Sequence, residues 1–191
     1  MERWESLYQT EEFEGLPWYS RELDKDLSQE LEARGIRSGT FLDIGTGPGT
    51  QAAALASLGF SVTATDISVT AAQKAAKLYQ KVSFIRDNIT KTAVSKKFDF
   101  IFDRGCFHTL DSRDYSSYLE SVSKLLKPDG LLFLKTFSHK ERMEGGPHKF
   151  SPEQIRGIFS NKFSVLEIRE SEFQGVLKPN PKALFCVLEK K

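Results

Sequence analysis

Two acids and a run of glycines set the first chemical question. In "FLDIGTGPGT" (41–50), Asp43 stands two residues before Gly45, and Gly45, Gly47 and Gly49 alternate with Thr46 and Pro48. A glycine-rich turn between a strand and a helix offers backbone N–H groups and a helix N-terminus to a ligand, and both favour negative charge. An acid at its mouth is out of place if that ligand is a phosphate. Asp66 follows at the distance where a nucleotide fold puts its ribose-binding acid.

Three ligand classes can be weighed against this turn. A dinucleotide fold shows Gly-x-Gly-x-x-Gly, but here the third glycine falls at Gly49 and position 50 is Thr50. A triphosphate loop needs Gly-Lys-Ser/Thr, and no lysine lies in the turn. S-Adenosylmethionine carries adenosine and a methionine tail bearing an ammonium, with no phosphate. A carboxylate beside the turn attracts such a tail, so Asp43 fits it better than a pyrophosphate.

A second group of reactive side chains stands in "DRGCFH" (103–108). His108 is the best-placed candidate for a base, should the reaction need one. A histidine that merely shapes a loop is an equal reading. Cys106 reads as a small buried residue, and His139 and His148 as solvent-exposed. No His, Cys, Asp or Glu cluster has metal-ligand spacing, so no metal is expected.

The elements that must hold these residues alternate along the chain. "TFLDI" (40–44), "FSVTATD" (60–66), "VSFIRD" (82–87), "FDFIFD" (98–103) and "LLFLKTF" (131–137) read as strands. The last is too continuously apolar for an exposed strand and suits a sheet covered on both faces. An alanine-rich helix follows the glycine turn and stops at Gly59, and Ser68 can cap the next one. A 3.6-residue apolar stripe runs over 112–127, and "SPEQIRGIF" carries a capping box from Ser151 to Gln154. Two final strands fall near 163–169 and 183–189. The alternation predicts a Rossmann-like, doubly wound α/β sheet of seven strands, mostly parallel with an antiparallel last strand, with ligand at the strands' carboxyl ends.

Bulk properties bound the setting. The 191 residues are 39% hydrophobic and 28% charged with a net charge of +1, as in one ordinary globular domain. No basic excess points to nucleic acid or a membrane surface, so a small-molecule partner is expected, in a monomer or weak dimer. The charged N-terminus lacks the apolar segment of a signal peptide or anchor, and the expected location is cytoplasmic. Residues 1–38 should fold over the carboxyl edge as a cover, 39–137 form the cofactor-binding half and 138–191 the substrate side. Glu11, Glu12 and Glu14 leave that cover little apolar surface, so it is expected to order only with cofactor.

"LDIGTGPG", "TATD", "FIRDN" and "FDFIFDRG", in this order, resemble the class I S-adenosylmethionine-dependent methyltransferases over roughly 38–137. "PWYS", "DRGCFH", "GGPHKFSPEQI" and "ALFCVLEK" look like the thiopurine and halide/thiol methyltransferase branch. The resemblance implies that Gly45, Thr46 and Gly47 lie against the methionine tail, with Asp43 holding the turn or the ammonium. It gives the ribose to Asp66, the adenine face to Ile67, the adenine amino group to Asp87 and Asn88, and a closing role to Trp18. Asp103 and Arg104 would sit where the methyl group meets the acceptor, unless Arg104 only forms a salt bridge to a neighbour such as Asp111 or Asp114. A thiol or other soft atom is the leading acceptor. The alternatives are an oxygen, nitrogen or protein acceptor, or a non-catalytic nucleotide-binding Rossmann module.

Overall fold

The computed structural model describes residues 2–191 and contains one sheet in the order β3-β2-β1-β4-β5-β8-β7. The strands are β1 (Thr40–Ile44), β2 (Ser61–Asp66), β3 (Ser83–Arg86), β4 (Phe98–Arg104), β5 (Leu126–Ser138), β6 (Lys149–Phe150), β7 (Phe163–Glu172) and β8 (Lys182–Lys190). The pairs β1–β2, β2–β3, β1–β4 and β4–β5 are parallel, while β8 runs antiparallel to both β5 and β7. The fold class is therefore the expected one, with one addition. Two-residue β6 pairs with the end of β5 as an eighth strand, too short to carry any alternation a sequence could show.

Helices cover both faces. These are α1 (Glu2–Thr10), α2 (Lys25–Ala33), α3 (Thr50–Ser57), α4 (Val69–Leu78), α5 (Tyr115–Leu125) and α6 (Pro152–Phe159). On one face Tyr118, Val122, Leu125, Ile155 and Phe159 of α5 and α6 meet Leu42, Ile44, Leu132 and Leu134 of the sheet. On the other, Leu27, Leu31, Ala52 and Leu55 of α2 and α3 meet Phe41, Phe102, Phe133 and Phe185. Alternating side chains of β1 and β5 enter both clusters, which is why these strands read as unbroken apolar runs. Ser68 caps α4 by accepting from Ala71 N at 3.0 Å, and the Ser151–Gln154 capping box opens α6 as its spacing requires.

The N-terminal segment departs from expectation. Its glutamates suggest little apolar surface, yet Tyr8, Phe13 and Leu16 are buried against Ala71 and Ala75 of α4. Farther along it is fixed by charge. Lys135, fully buried on β5, donates to Asp24 at 2.7 and 2.9 Å and to Asp26 at 2.6 Å. Asp24 also caps α2, accepting from Asp26 N at 3.1 Å. Burial would raise the Asp24 carboxyl, but Lys135 and Arg104 hold it below its ordinary value.

Removing one member of a buried pair strands the other charge in a poorly solvating interior, at a cost of about 3–5 kcal/mol. Lys135→Met should therefore lose about that much stability in urea denaturation, although methionine fills similar volume. A loss below about 1 kcal/mol would mean that the cluster is solvated.

Candidate active site

The glycine turn joins β1 to α3 at the carboxyl edge of the sheet. Gly45, Gly47 and Gly49 take φ of +64°, +50° and +77°, left-handed values that a side chain resists. Close contacts add to that restriction. A Cβ on Gly45 would stand 2.7 Å from Cys106 Cβ, and one on Gly47 would stand 2.5 Å from the Tyr8 hydroxyl.

Two acids bind this turn, and a third stands beside it on the neighbouring strand. Asp43 accepts from Thr46 Oγ1 at 2.6 Å, and burial pushes its carboxyl up to about 7 against that bond, with Asp103 and Asp66 adding to the rise. Asp66 accepts from Gly47 N and Ser68 N, both at 2.9 Å, and burial raises it as well. Asp103 accepts from Cys106 N at 2.7 Å, Phe107 N at 3.0 Å and Tyr118 Oη at 2.7 Å, while burial lifts it to about 6. The Cys106 thiol lies among them and is held well above its ordinary value by burial and then by Asp103, Asp66 and Asp43. Each acid is hydrogen-bonded, yet none of the three forms a salt bridge among the described residues. Such a site is suited to a cation.

The neighbouring strand supplies a second unmet demand. Asp87, just past β3, accepts from Ala93 N at 2.9 Å through Oδ1, while its buried Oδ2 has no partner. A buried acceptor without a donor is costly, and an N–H donor on a ligand would complete it. Asn88 caps the following turn, accepting from Thr90 N at 3.1 Å, and Ile67 is half-buried beside Asp66. Trp18 packs edge-to-face on Trp4 with centroids 5.9 Å apart, and its indole nitrogen lies 3.5 Å from the place of a Gly47 Cβ. A ligand with a cationic tail and a hydrogen-bond-donating ring thus fits Asp43 and Asp87.

The residues after β4 hold the larger surprises. Arg104 does not pair with Asp111 or Asp114. Its Nε donates to Asp24 at 2.9 Å, one terminal nitrogen to Trp18 O at 3.1 Å and the other to Gln174 O. Its donors tie the N-terminal segment and the β7–β8 loop to the strand end instead of facing an open acceptor space. Asp103 likewise turns its carboxylate into the turn at 105–107 and onto Tyr118, not toward a ligand. His108 is buried, its Nδ1 accepts from Phe137 N at 3.1 Å, and burial with His148 and Arg104 nearby lowers it to about 3. That neutral ring has its basic lone pair occupied, so it is poorly suited to take a proton. It packs with Phe137 (4.8 Å) and Phe173 (5.6 Å), and lies against Gly105, whose Cβ would stand 2.9 Å from Nε2.

Gly105 and Cys106 thus bridge two environments, an acidic glycine turn and an aromatic cluster. Sequence reasoning missed Asp24, Lys135, Phe137 and Phe173 as parts of this region. Lys135 carried a usable signal, because a lysine inside a strand covered on both faces must find a partner. Among the described residues no cluster of His, Cys, Asp or Glu could hold a metal ion, and no helix is long and apolar enough to cross a membrane.

Known proteins share the family and the fold of this chain. The methyltransferase domain family matches residues 17–168. A probable thiol methyltransferase from Arabidopsis thaliana is 28% identical over 163 residues, 82% of this chain and 72% of its own length. An uncharacterised methyltransferase from Schizosaccharomyces pombe is 34% identical over 106 residues, 53% of this chain and 73% of its own. A structure solved for the conversion of a disulfide bond into a thioacetal group during echinomycin biosynthesis superposes with a TM-score of 0.85 at 23% identity, covering 100% of this chain and 92% of that one.

The raised Asp43 carboxyl has a consequence for stability. An acid whose folded value exceeds its unfolded one stabilises fully below the unfolded value and loses that contribution as pH rises through the folded value. For Asp43 the window runs from about 4 to about 7. The melting temperature of Asp43→Asn, compared with wild type without ligand, should gain steadily over that range and level off above it. A constant difference would show that Asp43 is ionised throughout.

Proposed function

We propose, for a chain that belongs to the methyltransferase domain family, transfer of a methyl group from S-adenosylmethionine to the sulfur of a small thiol. Residues 1–191 act as one unit in this reading, with 1–38 as cover, 39–137 holding the methyl donor and 138–191 on the acceptor side. Asp43 and the turn Gly45–Thr46–Gly47 hold the cationic tail. Asp66 faces the ribose beside Ile67, the open Oδ2 of Asp87 accepts from the adenine amino group next to Asn88, and Trp18 closes the site. When bound, the donor presents a methyl carbon activated by a sulfonium: the acceptor sulfur's lone pair forms the new bond, and the electron pair of the old one leaves with the product thioether, S-adenosylhomocysteine.

The observation that carries the acceptor class is the state of His108. The aromatic cluster of His108, Phe137 and Phe173 beyond Gly105 offers an apolar wall and an imidazole whose Nδ1 is already occupied. An alcohol or an ammonium would need a base there. A thiol ionises near neutral pH without help and is then strongly nucleophilic. The protein's own contribution is alignment and exclusion of water. Arg104 and Asp103 serve by fixing the walls: Arg104 straps the cover and the β7–β8 loop together, and Asp103 shapes the turn that carries His108. The relative named for thiol methylation supports the same acceptor.

Thiols, phenols, amines and halides should be compared for release of S-adenosylhomocysteine. Apolar thiols are expected to turn over fastest, with a rate that rises with pH along the thiol's own ionisation and keeps that profile in His108→Gln. Phenols or amines outpacing thiols would overturn the acceptor assignment. For the donor, Asp87→Asn keeps an oxygen for Ala93 N but turns an N–H toward the ligand. Isothermal titration should show S-adenosylmethionine binding weakened by roughly one to two decades, since a hydrogen bond to a charged group contributes about 1.5–3 kcal/mol. The melting temperature should stay unchanged. Equal affinity would remove Asp87 from the donor site.

A further inference from the structure

The turn that follows β4 is held by a residue to which no motif points. Tyr118 is fully buried in the first turn of α5, and its hydroxyl donates to Asp103 Oδ2 at 2.7 Å. The same carboxylate accepts from Cys106 N at 2.7 Å and from Phe107 N at 3.0 Å. The Tyr118 ring also packs on Phe107, with centroids 5.0 Å apart, and edge-on to Phe159 at 6.4 Å. Phe107 is therefore gripped twice, through its ring and, by way of Asp103, through its backbone.

That grip reaches both sides of the site. Cys106, just before Phe107, closes on the glycine turn, where a Cβ on Gly45 would stand 2.7 Å from its own. His108, just after Phe107, accepts from Phe137 N at 3.1 Å and packs on Phe137 and Phe173. Three groups face the Asp103 carboxyl: the Tyr118 hydroxyl from α5, the Cys106 thiol from the turn and Asp43 from β1. Arg104, its neighbour on β4, is turned away to Asp24. Of the three, only Tyr118 donates a side-chain hydrogen bond to it. Burial lifts the Asp103 carboxyl to about 6 against that bond. An ionised carboxylate accepts more strongly than a protonated one, so the turn is tightest when Asp103 is charged.

We propose that Tyr118 is a positioning residue for methyl transfer: its hydroxyl fixes the Asp103 carboxylate, which fixes the Cys106–Phe107 backbone and so holds the His108 wall in register with the glycine turn. The proposal rests on the methyltransferase reading above and adds to it a residue from the core between α5 and α6. Tyr118→Phe removes the hydroxyl and keeps the ring against Phe107 and Phe159, so the helix packing survives.

Steady-state kinetics at saturating donor, well below both melting temperatures and with the best acceptor found, test it. In Tyr118→Phe, kcat should fall roughly three- to ten-fold, as for one hydrogen bond, while isothermal titration gives an affinity for S-adenosylmethionine within about two-fold of wild type. Dividing the variant's kcat by that of wild type cancels the acceptor's own ionisation. Without the Tyr118 bond Asp103 takes its proton at higher pH, so this ratio should be level in alkaline solution and fall as pH drops toward 6. Asp103→Asn keeps an oxygen for the backbone N–H groups but loses the charge, and in that background Tyr118→Phe should cost less than about two-fold more. Equal kcat in Tyr118→Phe and wild type, a ratio independent of pH, or losses that multiply in the double variant each overturn the proposal. A wild type that releases no S-adenosylhomocysteine with any thiol, phenol or amine overturns the methyltransferase reading and this proposal with it. A wild type that turns over beside an equally fast Tyr118→Phe overturns this proposal alone.

Discussion

One carboxylate, Asp24, settles where the N-terminal segment ahead of the sheet must lie. Arg104 and Lys135 are register partners on the parallel strands β4 and β5, so two cations project side by side from one face of the sheet. Neither is tolerable in a dry interior without an anion between them. Asp24 supplies it, with Lys135 at 2.7 Å and Arg104 at 2.9 Å, and the same side chain caps α2. Asp26 follows on the first turn of α2 and completes the neutralisation, reinforced by Ser171 and Arg169 from β7. Helix start, sheet face and terminal strands therefore meet at one cluster. Its net value to stability is small beside its value to placement, since desolvation consumes much of the Coulomb gain.

The cluster also explains why Arg104 cannot serve as its position on the strand suggests. At the carboxyl end of β4 an arginine should face ligand. Once Asp24 is docked, however, every nitrogen of the guanidinium is directed at a protein acceptor, and Phe173 lies beneath it at 5.4 Å. What it holds is the Trp18 backbone on one side and that of Gln174 on the other. Phe173, next to Gln174, is then pressed onto His108. A planar fork with donors spread over three nitrogens suits such a three-way strap, whereas a lysine would have to reach all three acceptors from one compact ammonium.

The strands, the glycine turn, Ser68, the Ser151 capping box and the acids at strand ends were legible because each depends on neighbours within a few residues. Periodicity, caps and turn chemistry are local. The pairing of Lys135 with Asp24 spans 111 positions, and nothing near either residue signals it. The segment "KDLSQELEA" of α2 is mostly polar, and only Leu27 and Leu31 mark its buried apolar stripe. Tyr8 was hidden in the same way, inside a segment whose run of glutamates suggested weak attachment. Asp103 lies on the strand end and His108 in the short helical turn beyond it, but the direction of each side chain depended on the turn at 105–107, whose hydrogen bonds no sequence pattern displays.

Charge in this protein is sorted into two compartments a few residues apart. Around Lys135 and Arg104, cations and anions are matched. Around Gly45 and Gly47, Asp43 and Asp66 are gathered with backbone N–H groups and hydroxyls but, among the described residues, with no salt bridge. Arg104 draws the Asp43 carboxyl down slightly, yet burial dominates and leaves it raised to about 7. Had Arg104 been free to swing toward the turn, it would have neutralised the acids and removed their attraction for a cationic ligand. Its engagement with Asp24 prevents that. The ion cluster under the cover and the anionic turn beside it are thus one arrangement: satisfying the arginine on one side is what keeps the acids available on the other.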